Sequence, residues 1–323
     1  MGVMVYKPGL LSTVQDLGRY GYQQDGIIVS GAMDSFSMRL ANLLVGNEDN
    51  DAVLEVTLIG PSLHFLVDSV IAICGGNLSP TINQIPISLN KPILVKKGDQ
   101  VEFGPVKYGC RCYIAFKGGI HVKKVLGSNS TCLPAGFGGF NGRPLTKGDV
   151  LPIKTIHFKF PLKLNWQVST HFNSFLFSDK PIRYLKGRQY DLFTEESRYQ
   201  FKTSPFILTK DSNRMGFRIE GTNLKLTNQQ EMLTEGVTFG SVQIPASGQP
   251  IILMADRQTT GGYPKIAQVI STDLPRLAQL KPGDHIYFTE ISLLEAQQLA
   301  YKAENELRIL RKMMMQKWKA SEL

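Results

Sequence analysis

The chain is short of what a sulfur-rich or metal-bound protein would need. It has four cysteines (Cys74, Cys110, Cys112 and Cys132), five histidines and two tryptophans in 323 residues. So few cysteines in a chain of this length do not make a disulfide scaffold. Cys110 and Cys112 stand two apart and would share one face of a strand. No second pair accompanies them, so no metal site is expected. Long apolar runs are also missing. A run such as Ile251-Ile252-Leu253-Met254-Ala255 falls far short of the roughly 20 residues that cross a bilayer. The first residues lack the basic-then-apolar order of a secretory signal. The expectation is a cytoplasmic protein with no membrane partner.

Nucleotide and hydrolase signatures are lacking as well. There is no phosphate-loop lysine motif, Rossmann fingerprint, serine-hydrolase elbow or zinc-protease helix. The charge is 36 − 27 = +9, but the basic residues are dispersed along the chain. No arginine–aromatic stripe appears, so nucleic acid is not expected as a partner. A small anionic substrate or an acidic partner protein accounts for the charge instead.

What the chain does have is 30 glycines and 17 prolines, punctuating many short apolar runs. Val3 to Lys7, Val53 to Leu58, Leu63 to Phe65, Val70 to Ile73, Ile93 to Val95, Val101 to Phe103 and Tyr113 to Phe116 read as strands. Turns such as Gly60-Pro61 and Lys97-Gly98-Asp99 separate them. This spacing describes a barrel or sandwich, not a βαβ repeat. One helix interrupts it, with Asp34 as N-cap and Gly46-Asn47 as C-cap. Leu133 to Asp149 is a glycine-rich connection. Periodicity fades over Lys163 to Leu176, and the domain boundary is expected there.

The second half repeats the pattern. Ile207-Leu208, Val242 to Ile244 and Ile251 to Met254 read as strands, and Asp273 to Leu280 as a short helix opened by Pro275. Lys281-Pro282-Gly283-Asp284 before His285-Ile286 echoes Lys97-Gly98-Asp99 before Val101. Two similar β-rich domains from an internal duplication follow from this echo. From Ile291 the chain changes character. Leu293, Ala296, Ala300, Ala303, Leu307, Leu310 and Met314 keep a three-four alternation, the seam of an amphipathic helix. The expected organisation is 1–170, 171–290 and a helical tail, 291–323.

Three polar clusters carry what chemistry there is. The first is Gln15, Asp16, Arg19, Ser30 and Asp34. The second is Asn213, Arg214 and Arg218. The third is Asp256, Gln258, Thr259, Thr260, Tyr263 and Lys265. Arg19 or Arg214 suits a carboxylate, through two parallel hydrogen bonds. Tyr263 or Lys265 suits a developing oxyanion, and Asp16 or Asp256 a proton in transit. The plainer alternative is that Asp16 and Arg19 brace their loop and Asp34 only caps a helix.

The same clusters lie in longer runs that resemble a known family. Thr13-Val14-Gln15-Asp16-Leu17-Gly18-Arg19-Tyr20-Gly21 and Ser30-Gly31-Ala32-Met33-Asp34 look like the opening signature of the biotin-dependent carboxyltransferase family. Ser212-Asn213-Arg214-Met215-Gly216 and Gln258-Thr259-Thr260-Gly261-Gly262-Tyr263-Pro264-Lys265 continue the likeness. It spans about residues 3 to 288. Two stretches depart from the family pattern: Ile73-Cys74-Gly75-Gly76-Asn77 and Lys186-Gly187-Arg188-Gln189.

The resemblance implies a mainly β fold of two cyclophilin-like β-barrel domains with a few short helices. It implies a smaller companion protein, like the sporulation-kinase inhibitor, and in one branch a third protein. That branch opens the 5-oxoproline lactam to glutamate with ATP hydrolysis. Another moves a carboxyl group from carboxybiotin to urea or an amide-like acceptor. A third binds a kinase inhibitor without catalysis. On this resemblance Asp16, Arg19, Arg214, Asp256, Tyr263 and Lys265 are the catalytic candidates. Gln15, Ser30, Asp34, Asn213, Gln258, Thr259 and Thr260 are the substrate-binding ones. No lysine between methionines is present, so any biotin would arrive on a partner.

Overall fold

The structure, a computed structural model, describes residues 2–154, 164–228 and 232–321. The chain divides into two compact units. The first holds residues up to Arg19, Ser30 to Phe177, and Glu304 onward. The second holds Tyr20 to Val29 and Ser178 to Ala303. The chain thus leaves the first unit at Phe177, seven residues beyond the boundary expected from fading periodicity. That stretch has no clean period because a short coil runs into a 3-10 helix, Thr170–Phe177, yet it supplies core: Trp166, Val168 and Leu176 are buried. Its first residue, Lys163, lies outside the described residues.

The first unit contains β1 (Gly2–Lys7), β2 (Leu11–Gln15), helix α1 (Ser35–Val45), β3 (Val53–Thr57), β4 (Ser62–Phe65) and β5 (Ser69–Asn77). It continues with β6 (Pro80–Ile82), β7 (Ile85–Pro86), β8 (Pro92–Val95), β9 (Gln100–Phe103), β10 (Tyr108–Phe116) and β11 (Val150–Pro152). One sheet runs β11-β1-β4-β9-β6-β7 and the other β2-β3-β10-β5-β8. Alternation along the central strands of the second sheet builds two cores, because successive side chains point to opposite faces. Ile71, Ile73, Cys112, Ile114 and Phe116 face the other sheet. Val70, Ala72, Cys74, Tyr113 and Ala115 face α1 instead. Strands buried on both faces read as continuous apolar runs, which makes them legible in the sequence.

Strand β2 is different. Its segment reads as a polar loop, yet Leu11 to Gln15 pairs with β3 residue for residue. Ser12, Thr13 and Gln15 are all buried. The strand signal is hidden because its polar residues serve an internal hydrogen-bond network rather than solvent.

The second unit contains β12 (Ile182–Lys186), α2 (Glu195–Thr203), β13 (Phe206–Leu208), β14 (Gly216–Glu220), β15 (Glu235–Gly236) and β16 (Ser241–Gln243). Then come β17 (Ile251–Leu253), β18 (Thr260–Gly261), β19 (Lys265–Val269), α3 (Leu274–Ala278), β20 (His285–Ile286) and β21 (Phe288–Glu290). Eight strands form one sheet, β20-β13-β14-β17-β16-β19-β12-β21, and β15 pairs with β18 beside it. The core is aromatic. Phe201 of α2 stacks on Phe288 at 4.4 Å, and Tyr184 meets Phe201 edge-on at 5.1 Å. The fold is therefore mainly β, with nearly closed barrel sheets and few helices.

The echoed turns are built alike. Asp99 accepts from the amide of Lys96 at 2.8 Å, and Asp284 from that of Lys281 at 3.0 Å. A third copy joins Asp149 to Thr146 at 2.7 Å. In each the glycine before the aspartate has φ above 90°, a conformation that L side chains resist.

The tail forms α4 (Leu293–Ser321). Only the C-terminal part of its seam is buried: Leu307, Leu310 and Met314, joined by Trp318. Leu293, where the seam was expected to start, is 61% exposed. Trp318 lies edge-on to Trp166 at 5.4 Å and donates from Nε1 to the Leu44 carbonyl at 3.1 Å. Lys117 sits 3.5 Å over its ring. Arg39 of α1 grips Glu304 with two bonds of 2.7 Å. The end of the tail thus packs on its own chain.

Candidate functional site

In the first unit, Asp16 follows Gln15, the last paired residue of β2, and gathers its neighbours. Its carboxylate accepts from the Gly18 amide at 2.8 Å, the Ser128 hydroxyl at 2.7 Å, the Asn129 amide and the Ser130 hydroxyl. Arg19, only 1% exposed, donates from Nε to the Val125 carbonyl at 3.0 Å and from Nη2 to the Ser130 carbonyl at 2.8 Å. Its guanidinium lies 4.7 Å over Phe137. Together they bind the signature loop to residues 125–131. Gln15 donates to Thr13 and to the Thr131 carbonyl. Asp34 caps α1, accepting from the Ser37 amide at 2.8 Å and its hydroxyl at 2.6 Å. Two neutral groups here have no partner among the described residues: Gln15 Oε1 and Ser30 Oγ.

The glycine-rich connection packs on this hub. A Cβ on Gly138 would stand 2.2 Å from the Ser130 carbonyl oxygen, and one on Gly139 would stand 1.8 Å from Thr131 Oγ1. Close packing therefore accounts for these glycines. The loop lines a cavity of about 370 Å³ with His121, Lys123 and Phe137.

The second unit regroups the other two clusters. Arg214 precedes β14 and Asp256 follows β17, and those strands are neighbours. The pair is bidentate and buried, Nε to Oδ2 at 2.9 Å and Nη2 to Oδ1 at 3.0 Å. Asn213 is exposed and closes its own turn, accepting from the Met215 amide at 2.8 Å. Lys265, by contrast, opens β19. It is level with Gln243, which is level with Ile251 at the start of β17. Lys265 therefore stands at the end of the sheet opposite Asp256, although the sequence puts them nine residues apart.

Lys265 is 8% exposed and its ammonium pairs with Glu235. Glu235 also accepts from Gln189 at 2.7 Å and Arg188 at 2.6 Å. The Lys265 hydrogen bond comes first among the causes that hold the Glu235 carboxyl below the usual range. Gln243 Nε2 is buried with no partner among the described residues. It points at β18: a Cβ on Gly261 would stand 2.6 Å from it. Thr260 lies in β18, and Thr259 accepts from the Val237 amide at 3.0 Å. Gln258 is exposed. Tyr263, 49% exposed, lines a cavity of about 690 Å³ with Lys225, Met232, Ile244 and Ser247. Sequence reasoning misses Glu235, Gln189, Gln243 and Arg257. Gln189 lies in one of the stretches that depart from the family pattern; the others lie in the run from Glu235 to Lys265 that resembles the family, of which only Asp256 and the Gln258 to Lys265 end are singled out as site residues.

All four cysteines are buried and outside disulfides, and burial pushes the Cys74 and Cys112 thiols up. Among the described residues no group of three or more metal-ligating side chains is found. No described helix is long and apolar enough to cross a membrane.

Two β-rich units with polar clusters on their loops define a class that comparison names. The chain belongs to the family described as carboxyltransferase domain, subdomain A and B, whose model matches residues 25–290. It is 39% identical to a 5-oxoprolinase subunit of Escherichia coli, over 94% of this chain and 99% of that one. It is 34% identical to the urea amidolyase of Saccharomyces cerevisiae, over 92% of this chain but 17% of that one. The crystal structure of the Kluyveromyces lactis urea carboxylase superposes with a TM-score of 0.88 at 34% identity, covering 96% of this chain and 29% of that chain.

Proposed function

We propose that the chain is one subunit of an ATP-dependent 5-oxoprolinase that opens 5-oxoproline to L-glutamate in the cytoplasm. The observation that supports this most is sequence identity. The chain is 39% identical to the 5-oxoprolinase relative over 94% of its residues, against 34% over 92% for the urea amidolyase. The active assembly would add a smaller companion, like the sporulation-kinase inhibitor, and a third protein; the isolated chain would be inactive.

The lactam is an unactivated amide, so ATP hydrolysis supplies the driving force, and no residue of this chain is assigned to the nucleotide. The chain's own contribution is the Lys265 end of the second unit. The Lys265 ammonium and the free Gln243 amide are donors that favour negative charge growing on a carbonyl oxygen. Glu235, Gln189 and Arg188 fix the ammonium's position. The adjoining cavity at Tyr263 has room for a small ring, and Lys225 on its wall suits a carboxylate. Arg214–Asp256 and Asp16–Arg19 then shape the loops rather than react. The test combines the purified chain with both companions, 5-oxoproline and ATP, and assays glutamate. No glutamate from a verified complete complex would end this reading.

The family description supports a second reading, carboxyl transfer from a partner's carboxybiotin to a urea- or amide-like acceptor. The chain has no biotin-carrier lysine of its own. Co-purification with a biotinylated protein and a biotin carboxylase would favour that reading. A companion bound without any turnover would instead favour the non-catalytic regulator.

A further inference from the structure

Helix α4 from Glu304 onward belongs to the first unit, and its two faces differ. The inward face buries Leu307, Leu310, Met314 and Trp318. Charges along the edges of that face are matched: Glu304 to Arg39, and Arg311 to Asp49 and, at 3.9 Å, to Glu48. The outward face is not matched. Ile309, Met313 and Met315 are 58%, 52% and 56% exposed. Arg308, Lys312 and Lys319 stand among them, all exposed, and Lys317 flanks them. None of these four cations pairs with a carboxylate among the described residues. From Asn305 to Ser321 the helix carries five basic residues and one acid, Glu306.

The helix itself does not call for this charge. Cations favour the last turn of a helix, where backbone carbonyls lack partners, and that covers Lys319. Arg308 and Lys312 lie more than two turns before the end. As like charges four residues apart they weaken the helix rather than support it. Ile309, Lys312, Met313 and Gln316 fall at i, i+3, i+4 and i+7, the ridge with which a helix enters a partner's groove. The matched family model ends at residue 290, so the tail lies outside the matched span.

Charge decides between the occupants of such a face. A second copy would bring the same unpaired cations against it. A bilayer takes helices whose apolar and basic residues lie on separate faces, whereas here Lys312 sits within the apolar ridge. A protein surface with carboxylates set between apolar side chains satisfies both kinds of residue at once. We propose that the outward face of α4, from Arg308 to Lys319, docks such an acidic surface, and that its bearer is the smaller companion of the assembly. The partner's identity rests on the 5-oxoprolinase reading; its chemistry rests on the face. Carboxylates would meet Arg308, Lys312 and Lys319, and the two exposed methionines would adapt to the apolar side chains between them.

Isothermal titration of the full chain with the purified companion tests this. Binding should weaken at least about ten-fold between about 0.05 M and 0.3 M sodium chloride. Lys312→Glu should weaken it by about ten-fold or more, and Met313→Ser by about five-fold. Lys147→Glu, at an exposed turn elsewhere in the first unit, should bind like the wild type. Should Lys312→Glu melt lower than the wild type, Lys312→Gln serves and should weaken binding about three-fold. In the three-protein assembly, Lys312→Glu should need about ten-fold more companion for half-maximal glutamate formation and reach the same maximal rate. A companion that binds Lys312→Glu as tightly as the wild type overturns the proposal, and so does a wild type that binds no companion. Self-association, or binding to phosphatidylserine vesicles, that Lys312→Glu abolishes while companion binding persists would give the face to a second copy or a membrane and equally overturn it. Companion binding that depends on Lys312, without glutamate from the complete assembly, would end the 5-oxoprolinase reading and leave the docking face standing.

Discussion

The two units bury polar groups to opposite ends. Around Asp16 the charges are spent: four donors converge on one carboxylate, and the Arg19 guanidinium holds two carbonyls. Two groups that stay open there are neutral, Gln15 Oε1 and Ser30 Oγ. In the second unit two of the open groups are donors, the Gln243 amide beside the Lys265 ammonium and Arg257 Nε beside a carboxylate that Arg214 holds. Both regions carry family signature residues. One signature preserves a loop's shape and the other leaves unspent positive character, which is what an anionic substrate or a growing oxyanion requires. Likeness to a motif therefore does not by itself say that a residue reacts.

Four changes probe that contrast, beginning with the strongest. Asp16→Ala strands four buried donors and should destabilise the first unit by about 5 kcal/mol. Both tryptophans lie in that unit's core, so urea unfolding followed by intrinsic fluorescence reads it alone. Asp256→Asn leaves two buried guanidiniums facing an amide and should remove about 4 kcal/mol from the second unit. Circular dichroism should register that loss while the fluorescence midpoint stays put. A fluorescence shift would show that the units do not unfold separately. Trp318→Ala removes the tail's anchor under α1 and should take about 3 kcal/mol from the first unit. A loss below roughly 1 kcal/mol would mean that the tail does not hold in solution. The smallest effect is pH-dependent. Because the Glu235 carboxyl is held low in the folded protein, its contribution is present at neutral pH. It is lost as pH falls below about 4.3 through the folded value. Glu235→Gln should flatten the second unit's stability slope between about pH 5 and pH 3, and an unchanged slope would mean that the pairing does not hold.

Much of the fold is legible in the sequence. The apolar runs of β3, β5 and β10 announce themselves because both faces are buried, and Asp34 and Gly46 mark the ends of α1. Strand β2 is not legible, because its buried Ser12, Thr13 and Gln15 look like loop residues until their partners are in place. Helix α2 escapes as well: Phe201 is the sole apolar side chain it buries, too little for a period. For the site, nearness in the chain groups Asp256 with Lys265, while strand register sets them at opposite ends. Gln243 and Glu235 go unnoticed because they approach Lys265 only through the pairing of β16 with β19 and of β15 with β18. Arg257 is invisible as a special residue in a chain with 36 basic ones; burial with no carboxylate paired to it among the described residues distinguishes it.

The central claim is that chemistry belongs to the Lys265 end of the second unit and architecture to the Asp16 hub. The direct measurement is kcat/KM for glutamate formation by the reconstituted three-protein assembly carrying Lys265→Met, with the melting temperature read on the same sample. The account predicts a fall of about 10²–10³-fold, the loss typical of a missing oxyanion donor, with the fold intact. Activity within about three-fold of wild type, in an assembly that melts normally, would contradict it.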